Sequence, residues 1–312
     1  MIKRLQNKVA GSRFALPFMV CAMLAVCYLR GMLQAEYTLQ TGSLLLATYL
    51  LAEMNNRNAL LRIPSRMVSC SFLMLTLLTC ESLKSKEVSF VQLLFIVALT
   101  IIFAAYQDRK APGLLFAASA CIGTASVLWV QMLFFVPVLW FCSAAFMLQL
   151  SWKNFAATLL GLLCPYWLLL GWYSLQADFS WFEPHFRQLA DIQFAPQPWM
   201  EDWVQVAVVA FIALLMLTGT IHFLRRSYLD KIRTRFIFEM FIVLSLTCSL
   251  FWGLQPQHKD MLVHLLIVCV APLIAHFIAL TNTKVTNISF ISITLIAIVL
   301  LWFTFHPELP TL

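Results

Sequence analysis

Residues 225–235 read RRSYLDKIRTR, five basic side chains and one acid set between two long apolar runs. Lysine and arginine beside a hydrophobic stretch are retained on the cytoplasmic side of a bilayer, so this block fixes the sidedness of every loop before and after it. It also means that the apolar runs on either side are to be read as membrane spans.

The composition agrees with that reading. The 312 residues are 62% apolar and 11% charged, against roughly 25% charged in soluble domains. A soluble globule of this length cannot hide so much apolar surface. The net charge of +7 falls in short clusters beside apolar runs and builds no continuous basic groove, so it reads as a set of topology determinants and not as a nucleic-acid footprint. Nine cysteines lie within or at the ends of the apolar runs, with no CxxC pair and no Cys/His cluster among them. They read as small buried hydrophobes, and neither metal nor cofactor is expected.

A hydrocarbon core about 30 Å thick takes about 20 apolar residues per helix. Applied along the chain, this gives eleven segments: 14–33, 38–54, 66–83, 89–106, 113–128, 132–150, 155–175, 203–223, 236–253, 261–281 and 286–305. The second is short and ends in EMNNRN, and only Trp129, Val130 and Gln131 join the fifth to the sixth. Residues 1–13 carry four positive charges ahead of the run from Phe14, and no small-x-small cleavage motif follows, so that run is expected to remain as the first span. With the amino terminus inside, 16 of the 21 Lys and Arg fall on inner segments, and Arg30, Lys84, Lys86, Arg187 and Lys259 fall outside. The expected fold is an all-α polytopic transmembrane helix bundle of about eleven spans, with its amino terminus inside and its carboxyl terminus outside. It forms one transmembrane domain over 1–312, without a soluble domain. The two halves show no repeat, which argues against an inverted-repeat transporter.

The longest connection, residues 176–202, is QADFSWFEPHFRQLADIQFAPQPWMED. Phe182, Phe186, Leu189 and Ile192 recur at helical spacing, Pro184 suits a first turn, and Pro196 and Pro198 stop the helix. A short interfacial amphipathic helix on the outer leaflet is expected, with Phe179, Trp181, Trp199 and Trp203 at headgroup depth. The loop has two readings. It is an anchoring belt around a long connection, or it is a platform for a lipid-linked substrate or partner, with Asp178, Trp181, Glu183, Asp191 and Trp199 as the binding side chains.

Other features carry packing readings beside functional ones. The run AASACIGTAS at 117–126 permits close helix approach and points to a central span. Pro137, Pro165 and Pro272 fall inside spans, where each removes a backbone donor and tends to kink the helix. Ionisable groups within spans lie near the ends: Glu53, His222, Glu239, His264 and His276. Their depletion at the midplane argues against a proton-coupled pump. His264 and His276 are expected to make hydrogen bonds between helices.

NNRNALLRIPSR and the Leu-rich span after it, GLLFAASACIGTASVLWVQMLFFVPVLWF at 113–141, SWKNFAATLLGLLCPYWLLL at 151–170 and VHLLIVCVAPLIAHFIAL at 263–280 together resemble an uncharacterised family of multispanning membrane proteins typical of Bacteroidota. The resemblance implies a bacterial inner-membrane protein and transfers no catalytic residue. The 113–141 hairpin is also distantly similar to spans of C-type-fold glycosyltransferases, which use lipid-linked sugar donors. That likeness implies an essential acid in the first outer loop, a position only Glu36 matches. The loop here is short and no DxD or paired acid occurs, which departs from that fold. The functional expectation is a non-enzymatic component of an envelope-associated assembly or a lipid-handling helper, with membrane lipids and envelope proteins as partners. A C-type-like transferase at the outer face and a transporter of neutral or lipidic cargo stand as alternatives.

Overall fold

The structure, a computed structural model, describes residues 4–191 and 203–306. Thirteen α-helices occur among them: α1 (Leu5–Ala10), α2 (Ala15–Leu29), α3 (Thr38–Asn58), α4 (Met67–Leu78), α5 (Lys86–Ala104), α6 (Pro112–Leu128), α7 (Val136–Ala145), α8 (Trp152–Gln176), α9 (Phe182–Arg187), α10 (Trp203–Arg226), α11 (Ile232–Leu254), α12 (Lys259–Leu280) and α13 (Lys284–Phe305). A helix lies over each of the eleven apolar segments. Six of them, α5, α8, α10, α11, α12 and α13, are long and apolar enough to cross a membrane. The protein is therefore an all-α, multispanning membrane helix bundle.

The remaining segments fall short for identifiable reasons. Helix α3 has 21 residues but opens and closes on polar turns. Helices α2, α4, α6 and α7 are apolar but shorter than a span. Helix α4 is the extreme case, 12 residues with all but Met74 buried. Its flanking loops carry buried Leu60, Leu61, Cys80 and Leu83.

The core is built around α12. Every residue from Met261 to Ala279 is buried, because α4, α5, α10 and α11 surround it. A helix apolar on all sides belongs at the centre of a bundle, and this sequence is apolar all round except for two histidines. Gly219 of α10 lets the neighbouring helix approach closely: a Cβ there would lie 2.7 Å from the Leu273 carbonyl carbon.

The small-residue run of α6 packs closely but is not central. Helix α6 lies between α5 and α8, with α8 on the outside of the bundle. A Cβ on Gly123 would meet the Leu162 carbonyl oxygen at 2.5 Å, and one on Gly161 would collide with that of Phe116. The two glycines thus bring α6 and α8 into backbone contact from both sides.

Proline placement also differs from expectation at one position. Residues Val130–Phe135 form a 3-10 helix that runs into α7, so Pro137 occupies the first turn of α7, where its missing N–H costs nothing. Pro165 and Pro272 lie inside α8 and α12 as expected.

Candidate functional site

The end of the bundle that carries the carboxyl end of α2 holds a cleft of about 360 Å³ among α2, α4, α10, α12 and α13. Arg30, one residue beyond α2, is its principal cation. One guanidinium nitrogen donates to Glu81 Oε1 at 2.7 Å, and another donates to the Thr304 backbone oxygen at 2.5 Å and its hydroxyl at 3.0 Å. The guanidinium lies 4.0 Å from the Phe305 ring centroid, a cation–π contact. Its Nε–H is buried and meets no acceptor among the described residues.

Both signs of charge are present in this cleft. Lys84 pairs with the other Glu81 oxygen at 2.8 Å. Across the cleft, the Gln205 side-chain amide donates to Asp260 Oδ1 at 2.9 Å, and Asp260 sits in the first turn of α12, where the helix dipole favours a carboxylate. Burial pushes the Glu81 carboxyl up, but Lys84 and Arg30 outweigh it and hold it below the ordinary glutamate value.

Along α2 and α13, on the membrane side of Arg30, runs an apolar groove of about 750 Å³. Its lining on α2 extends from Ala15 to Val26 and on α13 from Phe290 to Leu301, a length of about 16 Å at the helical rise. Leu5 and Val9 of α1 and Ile278 of α12 line its far end, and the groove reaches the cleft along α2, α4 and α13. Leu78 of α4 lines both. Val26 is one turn before Arg30 on α2, and Leu301 is one turn before Thr304 on α13. Arg30, bridging Glu81 and Thr304, stands between an apolar slot and a charged chamber.

A second polar cluster occupies the opposite end. Asp230 of the 225–235 block accepts from Arg62 Nε at 2.6 Å and lies 3.1 Å from His276 Nε2. Its side chain is 1% exposed. Burial would raise this carboxyl, yet the hydrogen bonds from His276 and Arg62 prevail and hold it below the ordinary aspartate value. Arg233 donates to Asn58 Oδ1 and the Phe103 carbonyl at 2.6 and 2.8 Å. The cluster ties four chain segments together, at Asn58–Arg62, Phe103, Asp230–Arg233 and His276, and lines neither the cleft nor the groove.

His264, the other buried histidine of α12, lies 3.3 Å from Gln92 Nε2 and 3.3 Å from Ser82 Oγ. Both histidines therefore make the hydrogen bonds between segments that their placement in the sequence leads one to expect.

Among the described residues, those singled out in 176–202 make separate contacts. A six-residue helix, α9, forms within this loop. Trp181 stacks on His185 with centroids 4.2 Å apart, and Tyr173 lies 6.0 Å from Trp181. His185 Nε2 lies 3.5 Å from the Tyr166 hydroxyl, which lies 2.8 Å from Ser126 Oγ. Asp178 accepts from the Ser180 backbone N–H at 2.9 Å, a turn-forming contact, and that bond holds its carboxyl below the ordinary value. Glu183 is exposed. The Asp191 backbone oxygen accepts from Gln257 at 3.1 Å. Trp199 lies outside the described residues. Glu36 is exposed on the 3-10 turn Ala35–Tyr37 and does not line the cleft.

Sequence reading missed the cleft because Arg30, Glu81, Gln205, Asp260 and Thr304 come from the ends of five helices far apart in the chain. One signal was present: the expected topology leaves Arg30 and Lys84 among the five cations on outer segments, against the positive-inside tendency, and a cation so placed needs a local reason. Among the described residues, no group of three or more His, Cys, Asp or Glu is arranged to hold a metal ion. No family model, curated protein or solved structure matches this chain.

Proposed function

We propose that this chain is a lipid-handling protein of the bacterial inner membrane. It binds one amphiphile with its chain in the α2/α4/α13 groove and its polar head in the cleft beside Arg30. The observation that carries this is the direct succession of apolar groove and charged cleft along the same three helices, with Leu78 common to both. An amphiphile has the same two parts in the same order.

The accompanying topology is eleven crossings, amino terminus inside and carboxyl terminus outside. Its support is that long-range polar contacts join ends this topology places on one side. Gln6 binds Ile278 and Thr281, Arg62 binds Asp230, and Asn154 binds Asp108 on the inner side. Arg30 binds Glu81, Gln205 binds Asp260, and Trp129 binds His258 on the outer side. The lysine and arginine distribution then decides which side is which.

The test is purification in mild detergent followed by mass spectrometry of retained lipid. Wild-type protein should carry about one lipid per chain, and Ala22→Trp, which fills the groove, should lose it while keeping the same elution profile. A wild-type monomer that comes out empty, or an Ala22→Trp protein that still carries lipid, removes the reading. Cysteine labelling of Lys86→Cys from the outer compartment and of Ser227→Cys only after permeabilisation tests the sidedness.

A further inference from the structure

We propose that the outer cleft recognises a zwitterionic phosphoethanolamine headgroup, phosphate against Arg30 and ammonium between Asp260 and Glu81. This rests on the amphiphile reading above and assigns the head that such a lipid carries.

Three features select this head. First, the cleft bears both signs: the Arg30 guanidinium bonded to one Glu81 oxygen, with Lys84 on the other, and the Asp260 carboxylate contributed by α12. A purely anionic head would bring its charge up to two acids, and like charges brought together in a partly desolvated site are unfavourable. A purely cationic head would meet Arg30 in the same way. A head that is negative at one end and positive at the other satisfies all three.

Second, Arg30 has donors to spare. Three of its five N–H groups are engaged by Glu81 and Thr304, which leaves a second Nη1 hydrogen and the buried Nε–H, the latter without an acceptor among the described residues. A buried N–H left unpaired costs free energy, and a phosphate oxygen is the acceptor that arginine geometry suits best. Arg30 is also the cation at the mouth of the groove, where the phosphate of a lipid held by its chain would arrive.

Third, Asp260 is held in place before any ligand arrives. Gln205 grips its Oδ1 and the α12 amino terminus stabilises its charge. A carboxylate fixed in this way accepts the N–H donors of a primary ammonium without reorganising. The volume of about 360 Å³ lies within the usual range of small-ligand sites, about 300–1,000 Å³.

The experiment supplies full-length protein, in mild detergent, with equal amounts of phosphatidylethanolamine, phosphatidylglycerol and phosphatidylcholine of matched acyl chains. Retained lipid is read by native mass spectrometry. We expect phosphatidylethanolamine to be retained about fivefold over phosphatidylglycerol, the scale of one partly exposed charge contact. Phosphatidylcholine, whose ammonium has no N–H to donate, should be retained less than phosphatidylethanolamine. Asp260→Asn should bring phosphatidylglycerol to parity, and Arg30→Gln should lower retention of all three. Equal retention of the three lipids by the wild type, or a preference for phosphatidylglycerol or phosphatidylcholine, overturns the headgroup assignment and leaves the groove standing. Retention of no lipid overturns both.

Discussion

His276 Nε2 lies 3.1 Å from Asp230 Oδ2, so the core helix α12 is tied to the one acid in the basic 225–235 block. Arg62 holds the other carboxylate oxygen at 2.6 Å. Asp230→Ala should destabilise the protein by about 3 kcal/mol, because it leaves a buried histidine and an arginine without their partner. Thermal unfolding in a single detergent measures this. A midpoint within a degree of wild type would show that the cluster contributes nothing.

The same carboxylate predicts an acid limb. Its folded pKa lies below the unfolded value, which for aspartate is about 3.9. The unfolded chain therefore binds more protons, and stability rises with pH through this window. The contribution is fully present above the unfolded value and is lost as pH falls through the folded one. Asp230→Asn should flatten that part of the stability curve, and an unchanged slope below pH 4 would contradict the assignment.

His185 titrates the other way in charge but the same way in stability. Burial lowers its pKa, so folding favours the neutral ring and stability is complete above about 6.5, the unperturbed value. It is lost as pH falls through the lowered folded value. Because His185 stacks on Trp181, protonation should alter tryptophan emission as pH falls below about 6.5. His185→Phe should abolish the change, and persistence of the full change in that variant would place its origin elsewhere.

Two glycines of one helix should respond oppositely to the same substitution. Gly161→Ala forces a methyl into the Phe116 carbonyl and should lower stability, by about 2 kcal/mol on the scale of overpacked cores. At Gly171 nothing lies within 4 Å of the position a Cβ would take, so Gly171→Ala should leave stability unchanged or raise it by up to about 1 kcal/mol. Comparing the two unfolding midpoints checks the α6–α8 interface; equal shifts would refute it.

Arg30 and Glu81 should be unequal partners. Glu81 is 53% exposed and Arg30 12%, so Glu81→Gln should cost under about 1 kcal/mol. Arg30→Met forfeits the Thr304 bonds and the Phe305 contact together, and about 2 kcal/mol is the expected loss for hydrogen bonds of a charged group. A larger cost for Glu81→Gln than for Arg30→Met would mean that the pair is held chiefly from the acid side.

What was legible in the sequence follows from the physics of each feature. Apolar length is a property of contiguous residues, so the eleven helical segments could be placed within a few positions. Burial of α12 was less visible, since a lipid-facing helix and a protein-encased one are both apolar; its Val263 and Leu265 look no different from α13 residues that face outward. The small residues of α6 announced close packing correctly, but closeness to one neighbour does not mean centrality. The cleft is the hardest case. Arg30, Glu81, Gln205, Asp260 and Thr304 lie up to 274 positions apart, and only the crossing pattern of the helices brings them together. His185 gave no signal because a lone histidine between Pro184 and Phe186 carries no motif.

The encasement of α12 sets an order on biogenesis. This helix leaves the ribosome after every other helix but α13, yet its neighbours α4, α5, α10 and α11 must part to admit it. Until it arrives, the faces of these helices that pack on it lack their partner. A chain truncated at Gln255 should therefore be a target for membrane quality control, and supplying residues 256–312 as a separate polypeptide should rescue it.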